Sequence, residues 1–273
     1  MRWLLRFGYV GWHFEGWARQ PGRRTVEGEI LSGLRRQGLA PSEGEPRVSV
    51  ASRTDRGVSA RGNALTLDAQ LEGPALLRAM NGIAPDIFFT HAAPVPYDFR
   101  VRRPIRRWYR FYELHSDAHA PRWREGARLF EGEVDVRSFG RGFPLETQVR
   151  RRIDRVMVRS IRGGLQVDLT ARSFVWGMVR KIIAALRAID RGELTADEVA
   201  AAVSGRRRLT LPLAEPEALV LWSVEFDQPW IFVSSHRTRR QESFLDGETL
   251  RWKAMERVLA SLRPESLEGP RAA

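Results

Sequence analysis

Two short stretches of this chain hold residue types able to do chemistry. The first is Arg53-Thr-Asp55-Arg-Gly57. A carboxylate set among guanidiniums can act as a nucleophile, and Thr54 and Gly57 suit a tight turn that presents it. The same string also fits an ordinary Asx turn between two strands. The second stretch runs from 174 to 190. Val175, Met178, Val179, Ile182, Ile183, Leu186 and Ile189 cover most of a helix circumference there, so a buried helix capped by Ser173 is predicted. Arg180 stands inside it, and a guanidinium buried there needs a carboxylate or phosphate partner. Gly177 leaves space for an approaching backbone or ligand. The alternative is that Arg180 and Lys181 merely extend along the helix to reach the surface.

The rest of the inventory narrows the chemistry. The chain has no cysteine, which excludes disulfides, thiolate nucleophiles and cysteine-based zinc sites. Of the histidines, only His115 and His119 have helical i,i+4 spacing, and no HExxH surrounds them, so a solvated loop and no metal site are expected. No apolar run approaches the ~20 residues that span a bilayer. The first residues lack a signal peptide's apolar stretch, and a cytoplasmic protein is expected. The 45 basic and 33 acidic residues leave a net charge of +12, which favours a polyanionic partner such as nucleic acid. All the basic residues except Lys181 and Lys253 are arginine, the side chain suited to bidentate phosphate contacts.

These residues must be positioned by a mixed α and β scaffold. Residues 2–10 read as a strand, and Thr25 as the N-cap of a helix with Val26, Ile30, Leu31 and Leu34 on its apolar side and Gly38 as its stop. Strands are predicted at 47–51 and 64–68 with the Asp55 turn between them, a helix at 74–81 and a strand at 86–92. Prolines and arginines cluster at 94–104, a domain join. Beyond it come a strand at 106–114, a helix at 121–131, and strands at 153–161 and 164–171 hinged at Gly163-Gly164. A helix capped by Thr195 and a core strand at 218–226 follow. The chain thus divides into 1–103, carrying Asp55, 104–230, carrying Arg180, and 231–273. The last part contains an amphipathic helix at 247–262 (Leu250, Met255, Val258, Leu259, Leu262) and a polar tail. Packing on its own chain is the expected role of that helix, with an intersubunit contact as the alternative.

In order along the chain stand Tyr9-Val-Gly-Trp-His-Phe-Glu-Gly-Trp17, Gln20-Pro21, Thr25-Val-Glu-Gly28 and Arg53-Thr-Asp-Arg-Gly-Val-Ser-Ala60. Then come Asn81-Gly-Ile-Ala-Pro-Asp86, Phe99-Arg-Val-Arg102, Arg107-Trp-Tyr-Arg110 and Phe174-Val-Trp-Gly-Met-Val-Arg-Lys181. This ordered set, spread over most of the chain, resembles the TruA family of tRNA pseudouridine synthases. Ser52, Arg56, Ser59 and Trp176-Gly177 depart from the common family pattern and are similar to an archaeal or divergent branch.

The resemblance implies an α/β fold of the α+β type: two similar mixed, mainly antiparallel sheet halves with helices around a central basic cleft. It implies a homodimer acting on tRNA at positions 38–40 of the anticodon arm. By position, Asp55 matches the catalytic aspartate, Arg53 the arginine that displaces the target base, and Tyr109 the tyrosine that stacks on the uracil. Arg180 matches the arginine paired with the aspartate. Tyr112, on the same strand as Tyr109, is the competing tyrosine. The reaction breaks the uridine N1–C1′ bond and rejoins the uracil through C5, with no redox cofactor and no metal, Asp55 either attacking C1′ or assisting by proton abstraction at the sugar. The base must leave its stack, at a cost of a few kcal/mol offset by stacking and phosphate contacts. A non-catalytic RNA-binding protein, or a synthase with another RNA target, are the competing readings.

Overall fold

A computed structural model describes residues 1–39, 46–114, 117–141, 149–233 and 238–261. His115, Leu262 and the polar tail lie outside them. The strands are β1 (Arg2–Tyr9), β2 (Val48–Val50), β3 (Ser59–Asp68), β4 (Ile87–Val95), β5 (Arg106–Glu113), β6 (Gly132–Asp135), β7 (Arg150–Ile161), β8 (Gly164–Ala171), β9 (Leu219–Glu225) and β10 (Phe232–Val233). The helices are α1 (Val26–Arg36), α2 (Gly73–Asn81), α3 (Ala120–Arg128), α4 (Met178–Asp190), α5 (Ala196–Val203) and α6 (Arg239–Ser261).

One ten-stranded sheet carries everything, in the order β10-β4-β1-β3-β9-β5-β8-β7-β6, with β2 also paired to β3. Strands before residue 104 build one side and β5 to β9 the other. They meet where β3 runs parallel to β9, through the pairs Ser59–Val220 and Ala60–Leu221 alone. All other neighbours are antiparallel. Strand β10 returns to the first side, pairing Phe232 with Ala92. The chain therefore passes between the two sides twice, and Phe99 and Phe226, one on each passage, pack with ring centroids 5.5 Å apart.

Local sequence accounts for most elements. In β1, alternation sends Trp3, Leu5, Phe7 and Tyr9 to one buried face. The Thr25 side chain accepts from the Gly28 N–H at 3.2 Å and starts α1, whose Val26, Ile30 and Leu34 are fully buried. Gly163 and Gly164, both at positive φ, turn β7 into β8. Thr195 and Glu198 form a reciprocal capping box for α5.

Strands β6 and β10 have no counterpart in the sequence expectation, and other elements start elsewhere than expected. Strand β3 begins at Ser59, five residues before 64, because its first residues pair with a distant strand that local alternation does not reveal. The helix expected from 174 starts at Met178: Gly177, in the left-handed region at φ 76°, sets its N-cap and turns 174–177 out of the axis. Helix α6 starts at Arg239, because Thr238 and Gln241 exchange backbone and side-chain hydrogen bonds of 3.0 and 3.2 Å. Gln241 is fully buried and donates to the Asn81 side chain and the Ile87 carbonyl. Farther along, Glu248 accepts from the Trp12 indole at 2.7 Å and Trp252 meets Trp12 edge-on at 5.7 Å, so the helix touches its own chain there, but its apolar residues Leu250, Met255, Val258 and Leu259 are exposed and not packed on it as expected. Among the described residues, no helix is long and apolar enough to cross a membrane.

Candidate active site

The loop between β2 and β3 carries Asp55, and five hydrogen bonds fix its shape. Thr54 bonds the buried Tyr9 hydroxyl through its side chain at 2.7 Å and accepts from the Trp17 N–H through its carbonyl at 3.1 Å. Asn63 donates to the Ser52 carbonyl at 2.8 Å. Arg107 on β5 donates to the Ser52 hydroxyl and the Ala51 carbonyl, both at 2.7 Å, and so ties the loop to the other side of the sheet. Burial holds the Arg107 pKa below its usual value. The Gly-Trp segment ahead of α1 lies against the loop so closely that a Cβ on Gly16 would sit 3.2 Å from the Thr54 carbonyl oxygen.

Gly57 closes the turn at φ 81°, and a Cβ there would meet Pro216 at 3.0 Å and Glu217 at 3.1 Å. A left-handed conformation costs an L-residue about 1–2 kcal/mol. Gly57→Ala is therefore expected to lower the unfolding free energy by about that much, seen as a lower denaturant midpoint at unchanged m-value. It is also expected to slow any reaction that depends on the placement of Asp55.

Both oxygens of Asp55 are engaged. Oδ1 accepts from the Trp176 indole N–H at 2.7 Å, and Oδ2 from Arg180 Nη1 at 3.2 Å. The two donors come from the turn before α4 and from its first turn, on the far side of the parallel seam. Arg180 is anchored in turn by Nε donating to the Ala214 carbonyl at 2.5 Å. Side-chain exposures of 13% for Arg180 and 23% for Asp55 place the pair at the wall of a cleft, neither sealed nor freely solvated. Arg180 thus has its carboxylate partner and does not run out to the surface. Lys181 also stays inside, donating to the Ser138 and Gly140 carbonyls at 3.1 and 3.0 Å.

The cleft has a volume of about 1130 Å³, and Asp55, Arg53, Tyr109, Trp176 and Arg180 all line it. Tyr109 pairs across β5 with Leu169 and Leu221 on the cleft face, whereas Tyr112 pairs with Gln166 on the opposite one, which removes Tyr112 from the site. The Tyr109 ring meets Phe174 edge-on at 5.2 Å. Burial pushes its phenol up to about 12, with Arg107 pulling the other way. Tyr9, also buried, is raised too. A spectroscopic titration is therefore expected to show Tyr9 and Tyr109 un-ionised above pH 10 while the protein stays folded. Because both pKa values are raised, this contribution to stability is full below about pH 10 and falls as pH climbs towards 12. Tyr109→Phe removes one late-ionising group.

Arg53 is exposed at the cleft, without a carboxylate partner among the described residues, and Arg102 and Arg141 line the same cavity. The four residues singled out from sequence, Arg53, Asp55, Tyr109 and Arg180, therefore converge. Trp176 and Arg107 were not singled out as site residues. Each stood inside a quoted motif, and the signal for Trp176 was its place just before a glycine that opens a buried, arginine-bearing helix. Among the described residues no cluster of histidine and acidic side chains could hold a metal ion.

Residues 127–227 match the sequence model of a family described as tRNA pseudouridine synthase, which sets the class of the fold and its cleft: isomerases that convert uridine to pseudouridine. The chain is 37% identical over 230 residues to the tRNA pseudouridine synthase A of Thermococcus onnurineus, covering 83% of this chain and 85% of that one. It is 38% identical over 229 residues to the protein of that name from Thermococcus kodakarensis, with the same coverage. To that of Methanothermobacter thermautotrophicus it is 34% identical over 225 residues, 81% of this chain and 80% of the other. The chain belongs to the tRNA pseudouridine synthase A family.

Proposed function

We propose that this protein isomerises uridine at positions 38–40 in the anticodon arm of tRNA, with Asp55 as the nucleophile. The observation that carries the reading is the Asp55 carboxylate itself. It is held by Trp176 and Arg180 from the opposite side of the sheet and lines an arginine-bearing cleft with Tyr109. Attack of the free Asp55 lone pair on C1′ would release the uracil through N1. The base turns, C5 forms the new bond to C1′ as the carboxylate leaves, and the C5 proton is lost as N1 gains one. Trp176 and Arg180 orient the carboxylate through this exchange, and Tyr109 offers its ring to the base. Arg53, which lines the cleft and has no carboxylate partner among the described residues, would fill the gap that the flipped nucleotide leaves. A homodimer, on family resemblance, and a cytoplasmic setting belong to the same reading.

The test is incubation of the protein with unmodified tRNA transcript, followed by position-specific detection of pseudouridine. Product confined to 38–40 is expected. Product at other positions would assign another RNA target, and tight binding with no product would favour a non-catalytic RNA-binding protein.

A further inference from the structure

The cleft occupies one face of the sheet. The register puts a second set of charges on the other. Arg6 aligns there with Ala64 and His91, and Arg110 with Asp168, on the face away from Tyr109. Two irregularities in pairing add residues to this face. One lies in β3 between the partners of Tyr9 and Phe7, at Arg61-Gly62, and the other in β9 between the partners of Tyr109 and Trp108, at Trp222. Bulges of this kind re-aim side chains. Here they bring Arg61 and Arg110 over the Trp222 ring, at 4.5 and 3.7 Å from its centroid.

The charges are unevenly matched. Asp168 accepts from Arg110 at 2.8 Å, from the Trp108 indole at 2.9 Å and from Gln166 at 2.7 Å, so it is saturated. Arg159, 56% exposed, reaches it only at 3.9 Å. Arg6 and Arg61 have no carboxylate partner among the described residues. Arg6 lies directly over Gly62, where a Cβ would come within 2.9 Å of its Nε. Burial and the neighbouring Arg61 charge hold its pKa below the usual arginine value. Two adjacent cations without a counter-charge, beside a tryptophan, lack an anion. A second copy of this chain would bring arginine against arginine, and an apolar partner would strand both charges. Phosphates, with bases able to stack on aromatic and guanidinium planes, meet both needs.

We propose that this face is a second RNA-binding surface, at which Arg6, Arg61 and Arg159 take backbone phosphates of an RNA segment not presented to Asp55. It rests on the reading of this protein as a tRNA-modifying enzyme. The test is the double variant Arg61→Glu/Arg159→Glu, with Arg61→Ala/Arg159→Ala as the milder pair. The half-buried Arg6 is left in place so that the fold is kept. The glutamate variant is expected to bind tRNA at least tenfold more weakly. The alanine variant is expected to lower the slope of log K against log salt by about 0.7–0.9 per lost contact. Turnover at saturating tRNA should stay within twofold of wild type in both. Arg128→Glu/Arg191→Glu, the same charge change at the ends of α3 and α4, serves as the control. Affinity and slope unchanged in the test variants would overturn the proposal, as would an equal loss in the control. A changed sedimentation coefficient with tRNA affinity intact would do so too, and would assign the face to a protein copy. Absence of pseudouridine with the wild-type protein would instead count against the proposed function, so the two failures are distinguishable.

Discussion

Asp55→Asn is expected to abolish pseudouridine formation, by about 10⁴-fold or more in kcat, while tRNA binding is kept. The amide has nearly the shape of the carboxylate but no anionic lone pair for attack on C1′. It also offers one acceptor oxygen where Asp55 uses two, so either the Trp176 N–H or the Arg180 N–H loses its acceptor. Removing a negative charge from an arginine-lined cleft does not repel phosphate, which is why affinity should hold or rise slightly. The measurement is single-turnover release of the uridine C5 proton, run beside an equilibrium binding titration. Turnover near that of wild type would remove Asp55 from the chemistry, whatever the binding result.

Arg180→Met is expected to cost about a hundredfold in turnover, because a catalytic group displaced by an ångström loses that much. The stability effect lies between two limits. Exposed ion pairs contribute ~0–1 kcal/mol, and breaking a buried one costs ~3–5 kcal/mol. The intermediate exposure of the pair, and the Trp176 bond that remains, place the loss at about 1–2 kcal/mol. Adding Asp55→Asn should recover part of it, since the carboxylate left without its arginine is then neutral. A double-mutant cycle on unfolding free energies reads the coupling directly. A coupling of zero would show that the 3.2 Å contact contributes nothing and that Arg180 acts on Asp55 by no direct route.

The site was legible in sequence where chemistry is written in short strings. Arg53, Asp55 and Gly57 stand within five residues, and Arg180 betrays itself as a charge in an apolar helical run. The fold was legible where period and cap agree, as in α1 with Thr25 or α5 with Thr195. What escaped depends on partners distant in the chain. The first residues of β3 look like loop until β9 lies beside them. Trp176 reads as part of a helix until Gly177 is seen to take a left-handed turn, which frees the indole to reach a residue 121 positions away. The exposed stripe on α6 has the periodicity of a packed helix, and period alone does not say which surface it meets. Bulges carry no local signature either, so the arginines and Trp222 on the far face of the sheet could not be grouped from the string.

The double passage of the chain between the two sides of the sheet has a mechanical consequence. A parallel seam of two residue pairs is a short joint, and Asp55 and Arg180 come to it from opposite sides. With a single linker, opening that joint would set the halves adrift over a wide range of orientations. Two connecting segments, clasped where Phe99 meets Phe226, restrict those orientations. Each tether is short, so the effective concentration of one half at the other stays high and reclosure is fast. Amide exchange should accordingly be quicker at Ser59 and Ala60 than in the body of β3.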